Sequence, residues 1–188
     1  DSFDIDIFNS DKKIKTDYTL EEWILSAGYI APMSWVFKRE LLDSIPKLKS
    51  LDGSFVMVAC FLHDSKIKCF KDKVTCVYRV LDESAAHTRN IKKLYERNKS
   101  IIETQLSLIK MYKIDEKIKL QCEQKFFHSN FKLIMACDSS ARIGDAFNHI
   151  QNKTCIEKIL FFLSKNSLTH SLLANLYDFY WKYVGYKK

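Results

Sequence analysis

Two patterns of apolar and polar positions divide the chain near residue 88. Up to that point, short apolar segments alternate with polar turns, which predicts short helices and strands. From Thr88 onward, apolar residues recur every three or four positions, which predicts amphipathic helices. The sequence therefore predicts an α+β, predominantly helical fold of two regions, 1–88 and 89–188. The second region is expected to be a bundle of helices.

The first region is predicted to combine short helices with a few short strands. Residues 1–18 alternate apolar and polar side chains, as an edge strand or an extended arm does. Thr19, with Glu22 three places later, matches a capping box and predicts a helix over about 19–27. The further elements predicted here are a strand at Ala31–Phe37, a short helix at Arg39–Ser44, a helix from Asp52 to about His63, and strands at Ile67–Phe70 and Val74–Val80.

The second region is predicted to consist of five helices. A long one ends near Tyr112, a second spans Asp115–Cys137, and shorter ones cover about 141–151, 154–164 and 168–184. Their spacing assigns an inward apolar face to the first two. The residues expected on that face are Ile91, Leu94, Ile101, Ile102, Leu106 and Ile109 in the first, and Ile118, Cys122, Phe126 and Phe127 in the second.

Composition supports a folded chain with a sizeable core. Of the 188 residues 47% are hydrophobic and 13% aromatic, which excludes a disordered chain, and only four Gly and two Pro disfavour an all-β sandwich. No apolar run has the length of a bilayer span, and the start at Asp1 does not resemble a signal peptide. The six cysteines have no metal-finger spacing, which favours buried, reduced thiols.

The net charge of +7 is unevenly distributed along the chain. Residues 1–88 carry 12 Lys/Arg and 14 Asp/Glu, whereas residues 89–188 carry 18 and 9, so the second region has a net charge of +9. This excess indicates an anionic partner. The basic residues are scattered singly, with no nucleic-acid-binding signature, so nucleic acid is disfavoured and an anionic membrane surface is the remaining candidate.

The last predicted helix has two interpretations. Its aromatic residues and lysines form a mixture suited to a lipid interface. The same mixture also suits a helix that packs aromatics into a core and leaves its lysines in solvent. The residues concerned are Tyr177, Phe179, Tyr180, Trp181, Tyr183, Tyr186, Lys182, Lys187 and Lys188.

A succession of short motifs from Thr19 to His87 carries a family resemblance. A short helix precedes Trp35-Val36-Phe37-Lys38-Arg39, and Leu51-Asp52-Gly53-Ser54-Phe55 is an acidic turn that opens a helix. The pair Tyr78-Arg79 follows within a β-rich segment, and Ser84-Ala85-Ala86-His87 closes the series. This order resembles the acceptor-side half of family 2 glycosyltransferases, the inverting enzymes of the GT-A fold. The resemblance implies that a donor-binding half precedes Asp1.

The resemblance assigns expected roles to three residues. Asp52 matches the catalytic base that takes the proton from the attacking hydroxyl, although a helix N-cap is its other interpretation. Arg79 would contact the diphosphate of a nucleotide-sugar donor, or pair with Asp82 or Glu83. His87 would take the place of a His that often ligates the divalent cation, Mg or Mn, in such sites. Asp4-Ile5-Asp6 has the spacing of the family's metal motif but lies too close to the acceptor strand.

Two functional hypotheses follow from the sequence. The first is a glycosyltransferase that moves a sugar from a nucleotide-sugar to a surface-glycan or lipid-linked acceptor, with this fragment inactive alone and no cofactor held tightly by it. The second is a non-catalytic helical interaction module derived from a degenerate transferase. A cytoplasmic location, peripheral at the inner face of the membrane, is expected for the first.

Overall fold

The computed structural model describes residues 17–26, 36–48, 50, 53–66, 88–138 and 140–185, and within this part 77% of the residues are helical. Short turns connect the later helices, so consecutive elements pack as neighbours. The seven α-helices of this part are α1 (Leu20–Ser26), α2 (Gly53–Asp64), α3 (Ile91–Met111), α4 (Glu116–Cys137), α5 (Ser140–His149), α6 (Cys155–Ser164) and α7 (Ser167–Tyr180). A 3₁₀ turn at Arg39–Leu42 and a π-helical turn at Trp181–Gly185 complete it.

The predicted α+β fold with a GT-A segment is wrong, because the described ranges form an all-helical fold without a strand. Val36 and Phe37, at the end of the predicted strand Ala31–Phe37, have irregular backbone instead. Phe37 lies against Phe61 of α2, with 4.9 Å between ring centroids, so its apolar side chain covers a helix. The other predicted strands and most of residues 1–18 lie outside the described residues.

Side-chain caps fix where the helices begin. The capping box predicted for Thr19 and Glu22 is confirmed, since each backbone N–H donates to the other residue's side chain at 3.2 Å. Thr154 and Glu157 form a second capping box at the start of α6. Polar side chains at the N-cap satisfy amides that have no partner within the helix. The other capping residues are Asn90 for α3, Asp115 for α4 and Asn166 for α7.

A left-handed residue ends α3 and turns the chain into α4. Lys113 has φ of 52°, and the backbone N–H of Ile114 donates to the carbonyl of Ile109 at 3.0 Å. A left-handed residue commonly ends a helix because it lets the following backbone N–H groups hydrogen bond to carbonyls of the last turn. The result is that α3 and α4, the two longest helices, pack against each other along the middle of the molecule.

The first of two hydrophobic cores joins α1 and α2 to α3 and α4. Trp23 of α1 is buried, stacks on Phe55 of α2, and donates from its indole N–H to the Phe55 carbonyl at 3.2 Å. The buried members of this core are Trp23, Ile24, Phe55, Val58, Ala59, Ile102, Leu108, Ile109 and Cys122. Helices on both sides of residue 88 therefore share one core, and the two-region division stays a prediction.

The carboxyl end of α1 is held by side chains from the two central helices. Gln105 of α3 donates its amide N–H to the Ile24 carbonyl, and Lys125 of α4 donates to the Leu25 carbonyl at 3.0 Å. Both carbonyls belong to the last turn of α1, where carbonyl groups have no hydrogen-bond partner within their own helix. Gln105 is buried because it serves this carbonyl, although its polar side chain does not fit the apolar face predicted for α3.

The second core joins the beginning of α3 and the end of α4 to α5, with α6 and α7 covering it. Its buried members are Ile91, Tyr95, Phe131, Leu133, Ile134, Met135, Ile143, Ala146 and Ile150. Leu160 and Phe161 of α6, and Leu173, Tyr177 and Trp181 near the carboxyl end, pack against it. Among the helices of the described ranges, none combines the length and apolar character that a membrane crossing requires.

Candidate functional site

The three site residues predicted from the sequence, Asp52, Arg79 and His87, lie outside the described residues. So do Asp4 and Asp6 of the metal-motif spacing. Within the part of the chain that the structure describes, His, Cys, Asp and Glu side chains form no group of three able to hold a metal ion. The predicted catalytic, diphosphate-binding and metal-binding roles therefore stay predictions.

Among the described residues, the largest set of exposed apolar side chains lies on the last two helices and the turn after them. Ten large apolar or aromatic residues of α6, α7 and the π-helical turn are each more than half exposed, and we call this set the hairpin surface. Its members are Ile156, Ile159, Phe162, Leu168, Leu172, Leu176, Phe179, Tyr180, Tyr183 and Val184. Single exposed apolar residues are ordinary on proteins, whereas a large set on neighbouring elements marks an interaction site.

Helix α6 is apolar on the side that meets the core and again on the side that meets solvent. Leu160 and Phe161 pack against the second core, while Ile156, Ile159 and Phe162 point away from it. A helix that is apolar around most of its circumference is usually covered on both sides. Among the described residues, only the second core covers α6, and it covers the side of Leu160 and Phe161.

Helix α7 divides its apolar residues between two adjacent faces. Leu173 and Tyr177 pack against the second core, whereas Leu168, Leu172 and Leu176 follow each other at intervals of four and are exposed. Residues four apart lie on one face of a helix. The exposed leucines therefore form a stripe parallel to the helix axis, beside the buried face.

The most exposed members of the hairpin surface lie on either side of the turn between α6 and α7. Phe162 is 74% exposed and Leu168 is 80% exposed, and Lys165 lies between them in the turn. Lys158 is four residues before Phe162, so the two side chains lie on one face of α6. We call Lys158, Phe162, Lys165 and Leu168 the hairpin tip, where two apolar groups alternate with two cations.

Specific polar contacts hold the hairpin against the rest of the molecule. Glu157 accepts from the backbone N–H and hydroxyl of Thr154, and its carboxylate lies 2.9 Å from Nδ1 of His128 on α4. The ring of His170 on α7 contacts the Met135 carbonyl at 2.7 Å. These contacts fix which faces of α6 and α7 are turned inward. The hairpin surface is thus exposed on a hairpin that these contacts hold in a fixed orientation on the bundle.

Charges on the hairpin leave a positive surplus. Its two acidic residues are both engaged, Glu157 with His128 and Thr154, and Asp178 with Lys182 at 2.6 Å. Within the part of the chain that the structure describes, the Lys158 side chain makes no hydrogen bond or ion pair. The Lys165 ammonium lies 5.0 Å from the ring centroid of Phe161. Because Glu157 is buried and Asp178 is paired with Lys182, the exposed charges at the hairpin tip are those of these two lysines.

A separate cavity of about 390 Å³ opens between α3, α4 and the chain around the end of α7. Its polar wall contains Asn98 and Asn130, whose side-chain amides hydrogen bond to each other at 2.6 Å, and its apolar wall includes Phe126 and Trp181. The titratable side chains of its lining are Lys125, Cys122 and Tyr177. Burial raises the pKa of Cys122 to about 11, so that thiol stays protonated and is a poor nucleophile.

Comparison of this chain with family models, with curated proteins and with solved structures finds no match. The candidate site therefore rests on the geometry of the described residues.

Sequence reasoning found part of the hairpin surface and missed the rest. Of the aromatics considered for a lipid interface, Tyr177 and Trp181 pack into the second core, and Phe179, Tyr180 and Tyr183 are exposed. Packing into a core is thus confirmed for Tyr177 and Trp181. The lipid-interface interpretation stays a prediction, and Tyr186, Lys187 and Lys188 lie outside the described residues. The leucines of α7 and the apolar residues of α6 were missed, although their spacing at three and four positions was a signal for a second apolar face.

Proposed function

We propose that this protein acts as a helical interaction module that docks through the hairpin surface of α6 and α7. The observation that carries the proposal is the exposure of ten large apolar side chains on a hairpin whose inward face is already packed. Monomeric soluble proteins rarely expose large contiguous apolar areas without using them. This is the second of the two hypotheses derived from the sequence.

The polar contacts of the hairpin support docking rather than a loosely attached end of the chain. A capping box, the Glu157 and His128 pair and the His170 contact all fix the orientation of α6 and α7. A surface presented by a rigid element loses little conformational freedom on binding, so more of its apolar burial contributes to affinity. The arrangement suits a preformed docking site.

Substitution of three exposed residues tests the proposal. We expect the triple variant Phe162→Ser, Leu168→Gln, Leu172→Gln to unfold in urea with a free energy within about 1.5 kcal/mol of wild type, since each surface substitution usually changes it by at most about 0.5 kcal/mol. We also expect it to bind less of the apolar dye ANS in its native state. The matched control is Leu173→Gln, one position after Leu172, which should destabilise the protein because Leu173 packs into the second core.

A large loss of stability in the triple variant would contradict the proposal. It would mean that these side chains are part of the folded core, covered in solution by chain outside the described residues. Unchanged stability with unchanged ANS binding would also contradict it, because the surface would then not be the accessible apolar site.

The glycosyltransferase hypothesis stays a sequence prediction, and a substitution in the full-length protein distinguishes its two interpretations of Asp52. If Asp52 is the catalytic base, Asp52→Asn should lower sugar transfer by about two to four orders of magnitude. If it is only an N-cap, Asn replaces it with little change, since both residues cap helices well. The cytoplasmic, membrane-peripheral location belongs to the same set of predictions.

A further inference from the structure

We infer that the hairpin surface docks onto an anionic lipid bilayer, with the hairpin tip entering the headgroup region. This inference rests on the proposed function, since it names the occupant of the same surface. The partner it requires is a membrane face that contains anionic phospholipids. Contact is peripheral, through side chains of α6 and α7.

The composition of the hairpin surface matches the layers of a bilayer interface. Phe162 and the leucines of α7 supply aliphatic and aromatic groups that partition into the acyl boundary. Tyr180 and Tyr183, both more than half exposed, carry hydroxyl groups on apolar rings, a combination favoured at headgroup level. The stripe on α7 lies parallel to its axis, so the helix can rest flat in the plane of the interface.

Charge complementarity favours an anionic bilayer over a second copy of this chain. Lys158 and Lys165 stand beside the exposed Phe162 and Leu168, whereas Glu157 is buried against His128 and Asp178 is paired with Lys182. Two copies meeting through this surface would bring like charges together, which opposes association. Anionic headgroups have the opposite charge, and they concentrate basic segments at the membrane surface.

The long stems of the two lysines also suit a bilayer. Each can lay its methylene groups along the acyl boundary while its ammonium reaches the phosphate layer. In the structure the Lys165 ammonium lies 5.0 Å from the ring centroid of Phe161, and on membrane binding it would turn from this ring to the phosphate layer. The hairpin tip thus offers cations at the level where phosphates lie and apolar groups below them.

Co-sedimentation with vesicles tests the inference. We expect the whole chain to bind vesicles of phosphatidylcholine with about one third phosphatidylserine, and to bind pure phosphatidylcholine at least about tenfold more weakly. Binding should weaken in about 0.5 M salt, where surface charges are screened. The triple variant Phe162→Ser, Leu168→Gln, Leu172→Gln should lose at least about tenfold in affinity, because it no longer buries those apolar groups.

A matched pair of lysine variants separates the hairpin tip from overall charge. Lys158→Gln with Lys165→Gln should weaken binding about 30-fold, since each basic residue at an anionic surface contributes about fivefold. Lys110→Gln with Lys132→Gln removes the same charge from exposed positions of α3 and α4. This control should keep affinity within about threefold of wild type.

Three outcomes would overturn the inference. These are equal binding to neutral and anionic vesicles, an equal loss in the control pair, and no binding to anionic vesicles by a protein whose hairpin surface passes the ANS and stability test. In the last case the docking function stands and the membrane is excluded. If sedimentation velocity shows a dimer that the triple variant abolishes, and vesicles are not bound, the occupant is a second copy.

Discussion

The Glu157 carboxylate lies 2.9 Å from Nδ1 of His128, which joins the start of α6 to the middle of α4. Glu157 also completes the capping box with Thr154. One buried carboxylate thus stabilises the beginning of its own helix and the seating of that helix on the bundle. The orientation of the hairpin surface depends on this residue.

A low pH should weaken the contact between α6 and α4. Burial by itself raises the pKa of Glu157, but hydrogen bonds from Thr154 and the neighbouring His128 outweigh it and hold the pKa below its usual value. A carboxylate whose pKa is lowered by folding stabilises the native state above its unfolded pKa, and that contribution is lost as pH falls through the folded pKa. We expect Glu157→Gln to destabilise the protein at about pH 7 and much less at about pH 3.

Urea unfolding at the two pH values measures this difference. Asp145→Asn, at an exposed position of α5, is the control, and it should show no comparable pH-dependent loss. An equal destabilisation by Glu157→Gln at both pH values would show that the charge of Glu157 is not what stabilises the contact.

Removal of the Thr154 hydroxyl should destabilise α6. Thr154 accepts from the backbone N–H of Glu157, so Thr154→Ala leaves that amide without its partner. We expect a loss of about 1 kcal/mol in the free energy of unfolding, the usual cost of an N-cap. Thr154→Ser keeps the hydroxyl and should retain most of the stability. Equal losses in both variants would point to the methyl group of Thr154 rather than to the cap.

Glycine at position 113 should stabilise the turn between α3 and α4. Lys113 is left-handed, with φ of 52°, a conformation that costs an L-residue about 1 kcal/mol and glycine almost nothing. Lys113→Gly should therefore raise the free energy of unfolding by up to about 1 kcal/mol. The matched control is Lys110→Gly within α3, expected to lose about 1 kcal/mol. The same sign for both substitutions would contradict the role of backbone conformation.

The described cysteines should differ in their rates of alkylation. Cys155 is exposed, whereas Cys122 is buried and Cys137 partly buried. Burial raises the pKa of Cys122 and of Cys137 to about 11, which leaves little thiolate near neutral pH. With iodoacetamide, we expect peptide mass spectrometry to show Cys155 modified first and Cys122 only on unfolding. Early modification of Cys122 would mean that the interface of α3 and α4 opens readily.

Local signals in the sequence predicted the helices best. The capping box at Thr19, the end of α3 and both bounds of α4 were found because each depends on residues within four positions. Burial of Thr104 and Gln105 could not be found in this way. Their hydrogen-bond partners, the Ser50 hydroxyl and the Ile24 carbonyl, are 54 and 81 positions away.

The α+β prediction failed because segments rich in aromatic and β-branched residues were taken as evidence of paired β-strands. Aromatic and β-branched residues favour strands only where neighbouring strands complete the ladder, and they fit helix interfaces equally well. Phe37 against Phe61 is an example. The hairpin surface shows the corresponding limit for helices. Periodicity identifies two apolar faces on α7, but only tertiary packing decides which of them is covered.

The carbonyl contacts at the end of α1 have a consequence for the order of folding. Helix α1 has only seven residues, and a helix this short does not persist alone in water. The side chains that complete its last turn, Gln105 and Lys125, come from residues 81 and 100 positions later. We therefore expect α1 to become helical only once α3 and α4 have paired, so that in a newly made chain this helix forms after helices that follow it in the sequence.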